Sequence, residues 1–291
     1  MSREDQLSYL NGVQPFISTG QIDSIRLSTR PDALNEEILA MLKEYGVKTV
    51  EVGVQSMVDE ILLLSKRGHT AKDSASAILR LNRRGFEVGV HLMIGLPGDT
   101  CEKFLQSIDQ IIGLKPDFVR IHPTLVLKGA SLESLWKSGK YSPMTLDDAV
   151  EWLKKGMLKL ESASIPIARI GLQPTKELEE NLLAGPFHPA LHHLVDSAIF
   201  YDVAETLLQK HLKAPDPVFV CNPKDLSSLK GQRNKNILSL RGRFRLQNIQ
   251  IETNEEIQKG LLFLKTSSEI FGMERQELAA PDVNRGLKRA C

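Results

Sequence analysis

Short apolar runs recur through the first 172 residues, and their period and β-branched content predict strands over Ser24–Thr29, Thr49–Gln55, Glu87–Ile94, Phe118–Leu125 and Ile165–Leu172. Most intervals between them carry a helical pattern. Leu34, Ile38, Met41, Leu42 and Tyr45 share one helix face, as do Ala77, Ile78 and Leu81. Thr70 with Asp73, and Thr145 with Asp148, have the spacing at which a hydroxyl and a carboxylate satisfy the free amides of a first helical turn. Strand–helix alternation predicts a parallel sheet with right-handed crossovers. Five strands are too few for a full barrel of ~250 residues. The pattern therefore leaves two architectures open, an open doubly wound sheet and part of a barrel.

The texture changes after Leu172. Gln173-Pro174-Thr175 and Ala184-Gly185-Pro186-Phe187-His188-Pro189 break regular structure and place a boundary between about 180 and 190. Beyond it the pattern predicts a helix over Ala190–Leu212, a strand over Pro217–Cys221, a basic polar segment from Lys230 to Arg245, a strand over Ile249–Thr253, an apolar run over Gly260–Leu264, and a tail.

Composition narrows the function classes. With 42% hydrophobic and 25% charged residues the 291-residue chain is globular, and its net charge of +1 gives no broad field for nucleic acid or an anionic membrane. Its three cysteines, Cys101, Cys221 and Cys291, are far apart and odd in number, which argues against a disulfide framework or a spaced metal motif. No metal ligands are assigned on this ground. No apolar run reaches the ~18 residues of a membrane span and the first residues do not form a signal peptide, so a cytoplasmic location is expected.

In parallel α/β folds, ligands sit outside the carboxyl ends of the strands, so the polar residues there are the first candidates. Arg30, held extended before Pro31, suits a carboxylate or phosphate, and pairing with Asp32 or Glu51 is an equal account. Glu51 and Gln55 lie four apart on one strand and point to the same side, with Gly53 between them. The turn Gly95-Leu96-Pro97-Gly98 lets a ligand approach bare backbone, though ordinary turn chemistry explains it as well. Lys66-Arg67-Gly68-His69 reads either as an anion site or as a solvated helix end. His91 and His122 fit satisfied core histidines. The Lys230–Arg245 stretch lacks the interleaved aromatics of a single-strand binding platform, which favours a solvated basic loop.

Together, Ile25-Arg26-Leu27-Ser28-Thr29-Arg30-Pro31-Asp32, Val50-Glu51-Val52-Gly53-Val54-Gln55-Ser56, Lys66-Arg67-Gly68-His69-Thr70 and Gly89-Val90-His91-Leu92-Met93-Ile94-Gly95-Leu96-Pro97-Gly98-Asp99-Thr100 resemble, in order and spacing, the radical S-adenosylmethionine core of Elongator-catalytic-subunit-like proteins. Arg169-Ile170-Gly171-Leu172-Gln173-Pro174-Thr175 and the 184–189 segment are similar to stand-alone bacterial members without a fused acetyltransferase domain. The resemblance covers roughly residues 1 to 265.

It implies an α/β fold: a partial (β/α) barrel of the radical S-adenosylmethionine type lacking its first two βα units, over 1–185, with a small C-terminal α+β domain over 186–268 and a flexible tail over 269–291. It implies S-adenosylmethionine and a 4Fe-4S cluster as cofactors, with reductive cleavage of the S-adenosylmethionine to a 5′-deoxyadenosyl radical. Glu51 and Gln55 would lie near its ribose and methionine, Gly95, Pro97 and Gly98 would support its backbone, Ile121 and Pro123 would pack on adenine, and Arg30 and Arg67 would line the rim. The family's CxxxCxxC loop and its Gly-Gly-Glu-like motif would fall before Met1, so the sequence as written is expected to be inactive. Transfer RNA is a partner suggested by the named relative, a membrane is not, and self-association through an exposed barrel edge is expected. A cluster-free domain that binds a nucleotide or a partner without catalysis is the alternative, and an α/β enzyme unrelated to radicals is a third reading.

Overall fold

The computed structural model describes residues 2–212, 216–266 and 269–279. In chain order its elements are α1 (Arg3–Ser18), β1 (Ile25–Thr29), α2 (Glu36–Glu44), β2 (Val47–Gln55), α3 (Asp59–Leu64), α4 (Ala71–Arg83), β3 (Glu87–Ile94), α5 (Cys101–Leu114), β4 (Phe118–Pro123), β5 (Val126–Leu127), α6 (Ser131–Lys137) and α7 (Leu146–Ser162). There follow β6 (Ile167–Ile170), α8 (Lys176–Asn181), β7 (Leu182–Ala184), α9 (Leu191–His211), β8 (Val218–Cys221), α10 (Leu226–Lys230), α11 (Lys235–Phe244), β9 (Gln250–Thr253), β10 (Leu261–Lys265) and β11 (Ile270–Glu274).

The chain divides into two compact units, residues 1–122 with 165–169, and residues 123–164 with 170 onward. The sequence pattern suggests a single cut near 185. The observed division instead follows the sheet, because β6 returns to lie beside β4.

In the first unit the strand order is β1-β2-β3-β4-β6, and β1–β2 and β2–β3 pair in parallel. Strands added in sequence order without reversal make a singly wound wall, as in a barrel, and not a doubly wound sheet with a switch point. That decides between the two architectures left open by the pattern. One face of the wall is apolar. Val50, Val52, Val54, Val88, Val90, Leu92, Ile94, Val119 and Ile121 are fully buried, against Leu39 of α2, Ile78 and Leu81 of α4, and Ile108 and Ile111 of α5. Each such side chain contributes about 1.5–3 kcal/mol relative to exposure. The capping box at α4 forms as its spacing predicts: Thr70 Oγ1 accepts from the Asp73 amide at 3.2 Å, and Asp73 accepts from the Thr70 amide at 2.8 Å. Helix α1 goes unannounced in the apolar pattern because Leu10 is its only buried residue; it is started by a capping box between Ser2 and Asp5.

The second unit carries a four-stranded mixed sheet, β11-β10-β8-β9, in which β10 runs antiparallel to β8 and β11 while β8 and β9 are parallel. Helix α9 buries Val195, Ile199, Phe200, Val203 and Leu207. Here the structure differs from the expected tail: Ile270–Glu274 form a strand paired with β10, and the following turn places buried Arg275 2.8 Å from Asp196 and 3.1 Å from Glu161. Alternating exposure hides so short an edge strand from apolar periodicity. Residues 280–291 of that tail lie outside the described residues.

Candidate functional site

The side chains opposite the apolar face of the five-stranded wall are polar. Glu51 lies at its centre with a side chain only 4% exposed. Its Oε1 accepts from the Arg26 guanidinium of β1, its Oε2 accepts from His91 Nε2 of β3, and Arg120 Nε of β4 stands 3.1 Å from Oε2. Burial pushes the Glu51 carboxyl up, but the bonds from His91 and Arg26 and the charge of Arg120 more than offset it and leave it below its ordinary value. Two guanidinium groups facing one carboxylate leave the Glu51 cluster net positive.

His122 follows two residues after Arg120 on the same face, its ring centroid 5.5 Å from that of His91. Its Nε2 is buried without a hydrogen-bond partner among the described residues. Burial first, then the charges of His91, Arg120 and Arg169, hold its pKa down at about 4, so the ring is neutral at physiological pH. Gly89 makes the cluster possible. A Cβ there would lie 2.3 and 2.5 Å from ring carbons of Phe118 and 2.8 Å from Glu51 Cγ, and Phe118 in turn lies under the Arg26 guanidinium, 5.0 Å from the ring centroid.

Parallel pairing puts the carboxyl ends of β1, β2 and β3 on one edge. At the end of β2 a bulge lies between Val52 and Gln55, and Gln55 adopts φ 68°, a left-handed conformation costing about 1–3 kcal/mol in a residue other than glycine. The buried Gln55 amide folds back over Gly53, whose missing Cβ would meet Gln55 Nε2 at 2.8 Å. Next to it, His69 is buried with Nε2 3.2 Å from the Val54 carbonyl and Nδ1 unpartnered among the described residues. Arg30 grips Asp32 through two hydrogen bonds of 2.9 and 2.7 Å and lies 3.4 Å from the Gly68 carbonyl. Arg67 stands close enough to Arg30 that burial and then that charge lower its pKa. After β3, the Gly95 amide donates to Asp99 at 3.0 Å and the Thr100 amide donates to the other oxygen at 3.0 Å. Burial nevertheless raises the Asp99 pKa to about 6.

The structure thus brings Arg30, Arg67 and Gln55 to the ends of β1 and β2, and Gly95, Pro97 and Gly98 to the end of β3. Glu51 sits deeper, with both oxygens engaged. Ile121 belongs to the apolar face and is fully buried, and Pro123 is buried as the last residue of β4. Arg26, Arg120 and Asp99 are the residues that pattern reading passed over. Arg26 and Arg120 carry a signal, since a charged side chain inside an apolar strand needs a partner across the ladder, whereas Asp99 lies in the turn after β3 and has none.

Among the described residues no group of three His, Cys, Asp or Glu side chains could hold a metal ion. Cys101 and Cys221 are buried, and burial, then Asp225, pushes the Cys221 thiol up to about 11, which keeps it protonated and a poor ligand. Cys291 lies outside the described residues.

Residues 4–111 match the Radical SAM superfamily domain and residues 116–200 match the Radical_SAM C-terminal domain. A tRNA uridine(34) acetyltransferase of Methanocaldococcus jannaschii is 39% identical over 128 residues, 43% of this chain and 24% of that protein. Human Elongator complex protein 3 is 33% identical over 130 residues, 44% of this chain and 24% of that protein. The chain therefore spans about a quarter of the length of these curated relatives. A solved structure of the archaeal Methanocaldococcus infernus Elp3 with an N-terminal deletion superposes with a TM-score of 0.53 at 28% identity, covering 66% of this chain and 43% of that one.

Proposed function

The chain belongs to the radical SAM superfamily, and from that premise we propose that it forms the S-adenosylmethionine-binding part of an enzyme that modifies RNA. The observation that carries the reading is the polar face of the wall with its carboxyl edge. Buried nitrogens without partners among the described residues, His122 Nε2 and His69 Nδ1, a net positive cluster suited to a carboxylate, and the turn Gly95–Gly98 at the end of β3 suit a zwitterionic adenosyl ligand. Gln55, Arg30, Arg67 and the Gly95–Gly98 turn would hold it at the edge, with Pro97 shaping that turn, and Ile121 and Pro123 would line the β4 side from the backbone. Glu51 acts as a positioning residue that fixes Arg26, His91 and Arg120. Bound there, S-adenosylmethionine would supply radical chemistry only to an enzyme that also holds a reduced iron–sulfur cluster as the electron donor. His122, neutral and water-excluded, offers a hydrogen-bonding nitrogen there and no charge.

The described residues do not fit the cluster, because they bring together no set of thiolates. Radical chemistry in the proposed enzyme therefore depends on cysteines other than Cys101 and Cys221, and the 291-residue chain on its own binds the cofactor without cleaving it. RNA as substrate is supported by the relative named as a tRNA uridine(34) acetyltransferase. One preparation tests the whole reading. After anaerobic incubation with iron and sulfide, the chain is expected to stay colourless yet to retain radiolabelled S-adenosylmethionine in equilibrium dialysis, with retention weakened about tenfold by Gln55→Ala. A cluster held by this chain, or no retention of the label, would contradict it.

A further inference from the structure

A strongly asymmetric run of charge lies in the second unit, beyond the residues matched by either family domain. Between Lys224 and Arg245 the sequence carries seven Lys and Arg side chains against a single carboxylate, Asp225, while the whole chain has net charge +1. Asp225 neutralises none of the surface charge: it is 2% exposed and accepts from the Gly260 amide at 2.7 Å.

Helix α11 organises this charge. Its inner side is fixed by Asn236, which donates to the Ser197 and Ser228 carbonyls at 2.8 and 3.1 Å, and by the fully buried Leu240. At 3.6 residues per turn the opposite side presents Lys235, Leu238, Ser239 and Gly242, all exposed, and the exposed Arg245 follows as the left-handed cap of the helix, φ 55°. The preceding turn holds Arg233 and Asn234 in left-handed conformations, φ 52° and 61°. Gln232, Arg233, Lys235, Leu238 and Ser239 line an open concavity of ≈ 460 Å³. Arg243 pairs with Glu205 at 3.1 Å, whereas Arg233, Lys235 and Arg245 have no ion-pair partner among the described residues. Cations therefore stand at both ends of the helix, Lys235 at its start and Arg245 at its cap, with Leu238, Ser239 and Gly242 between them. A Cβ on Gly242 would meet nothing within 4 Å.

We propose that this face of α11, with the Arg233 turn, docks the phosphodiester backbone of a structured RNA. The low relief at Ser239 and Gly242 lets a polyanion lie against the helix beside Leu238, where the spaced cations neutralise several phosphates at once, and the rigid mount fixes its register. The lack of exposed aromatics on the face means contact to the backbone and not to stacked bases. A membrane surface fits poorly, since an interfacial helix needs a broad apolar face and Leu238 is the only large apolar side chain on this one. The inference rests on the RNA reading above for its choice of polyanion.

The test is fluorescence anisotropy of a labelled transfer-RNA-sized hairpin RNA with the 291-residue chain, titrated at several salt concentrations. The Arg233→Gln, Lys235→Gln, Arg245→Gln triple variant is expected to bind at least tenfold more weakly, with the slope of log K against log salt reduced by about 2–3. A variant with the same charge change elsewhere, Lys48→Gln, Lys72→Gln and Arg83→Gln, is expected to bind as the parent does. Equal affinity for the triple variant, equal losses in both variants, or binding to phosphatidylserine vesicles in place of RNA would overturn the proposal. Retention of S-adenosylmethionine by the triple variant separates failure of this surface from failure of the cofactor reading.

Discussion

His122 and Asp99 have pKa values displaced by burial in opposite directions, and so give the first unit opposing pH dependences. For His122, held at about 4 in the fold, the unfolded ring takes up its proton near 6.5, so its stabilising contribution is present above that value and is lost as pH falls from 6.5 toward 4. For Asp99, raised to about 6 from 3.8, the contribution is complete below the unfolded value and is lost as pH rises through 6. Urea denaturation of parent, His122→Phe and Asp99→Asn across pH 4 to 7 separates them: the first variant is expected to lose the acid-side loss and the second the loss near pH 6. Identical pH profiles for all three would contradict these assignments. At this scale the sequence was legible where a residue's neighbours follow from register. Glu51 and Gln55 were placed on a common strand, but the partners of Glu51 were not read, because Arg26, His91 and Arg120 meet it only through lateral pairing of β1, β3 and β4.

Strands, more than helices, dictate where the wall can carry charge. Period-2 apolar runs marked β3 at Glu87–Ile94 and β2 and β1 to within two residues, because one face of each is buried on helices. Less legible were β11 and α1, each with little buried surface to impose a period. Lateral packing on the polar face depends on Gly89, which stands where Phe118 of β4 and Glu51 of β2 close over β3. Gly89→Ala forces one of them to move, and is expected to cost about 1–3 kcal/mol in denaturant unfolding and to broaden or shift the His91 ring signals in NMR. An alanine variant as stable as the parent, with unchanged His91 signals, would show that the cluster does not need this gap. The Lys230–Arg245 segment, expected as a solvated basic loop, forms the last residue of α10, a turn and α11. Asn236 and Leu240 were the only apolar-face signals available, and one of them is polar.

At the scale of the whole molecule, a singly wound parallel wall separates duties between its two faces: an apolar face that holds the helices, and a polar face whose buried charges meet around Glu51, below the carboxyl edge where ligands of such folds bind. The second unit adds a mixed sheet and a cationic helix that neither family domain covers. The most direct measurement of the central claim is hydrogen–deuterium exchange of the 291-residue chain with and without saturating S-adenosylmethionine. Slower exchange at residues 51–56 and 95–100, with 232–245 unchanged, is the predicted result. Protection confined to other segments, or none at saturation, would contradict the placement of the ligand on this wall.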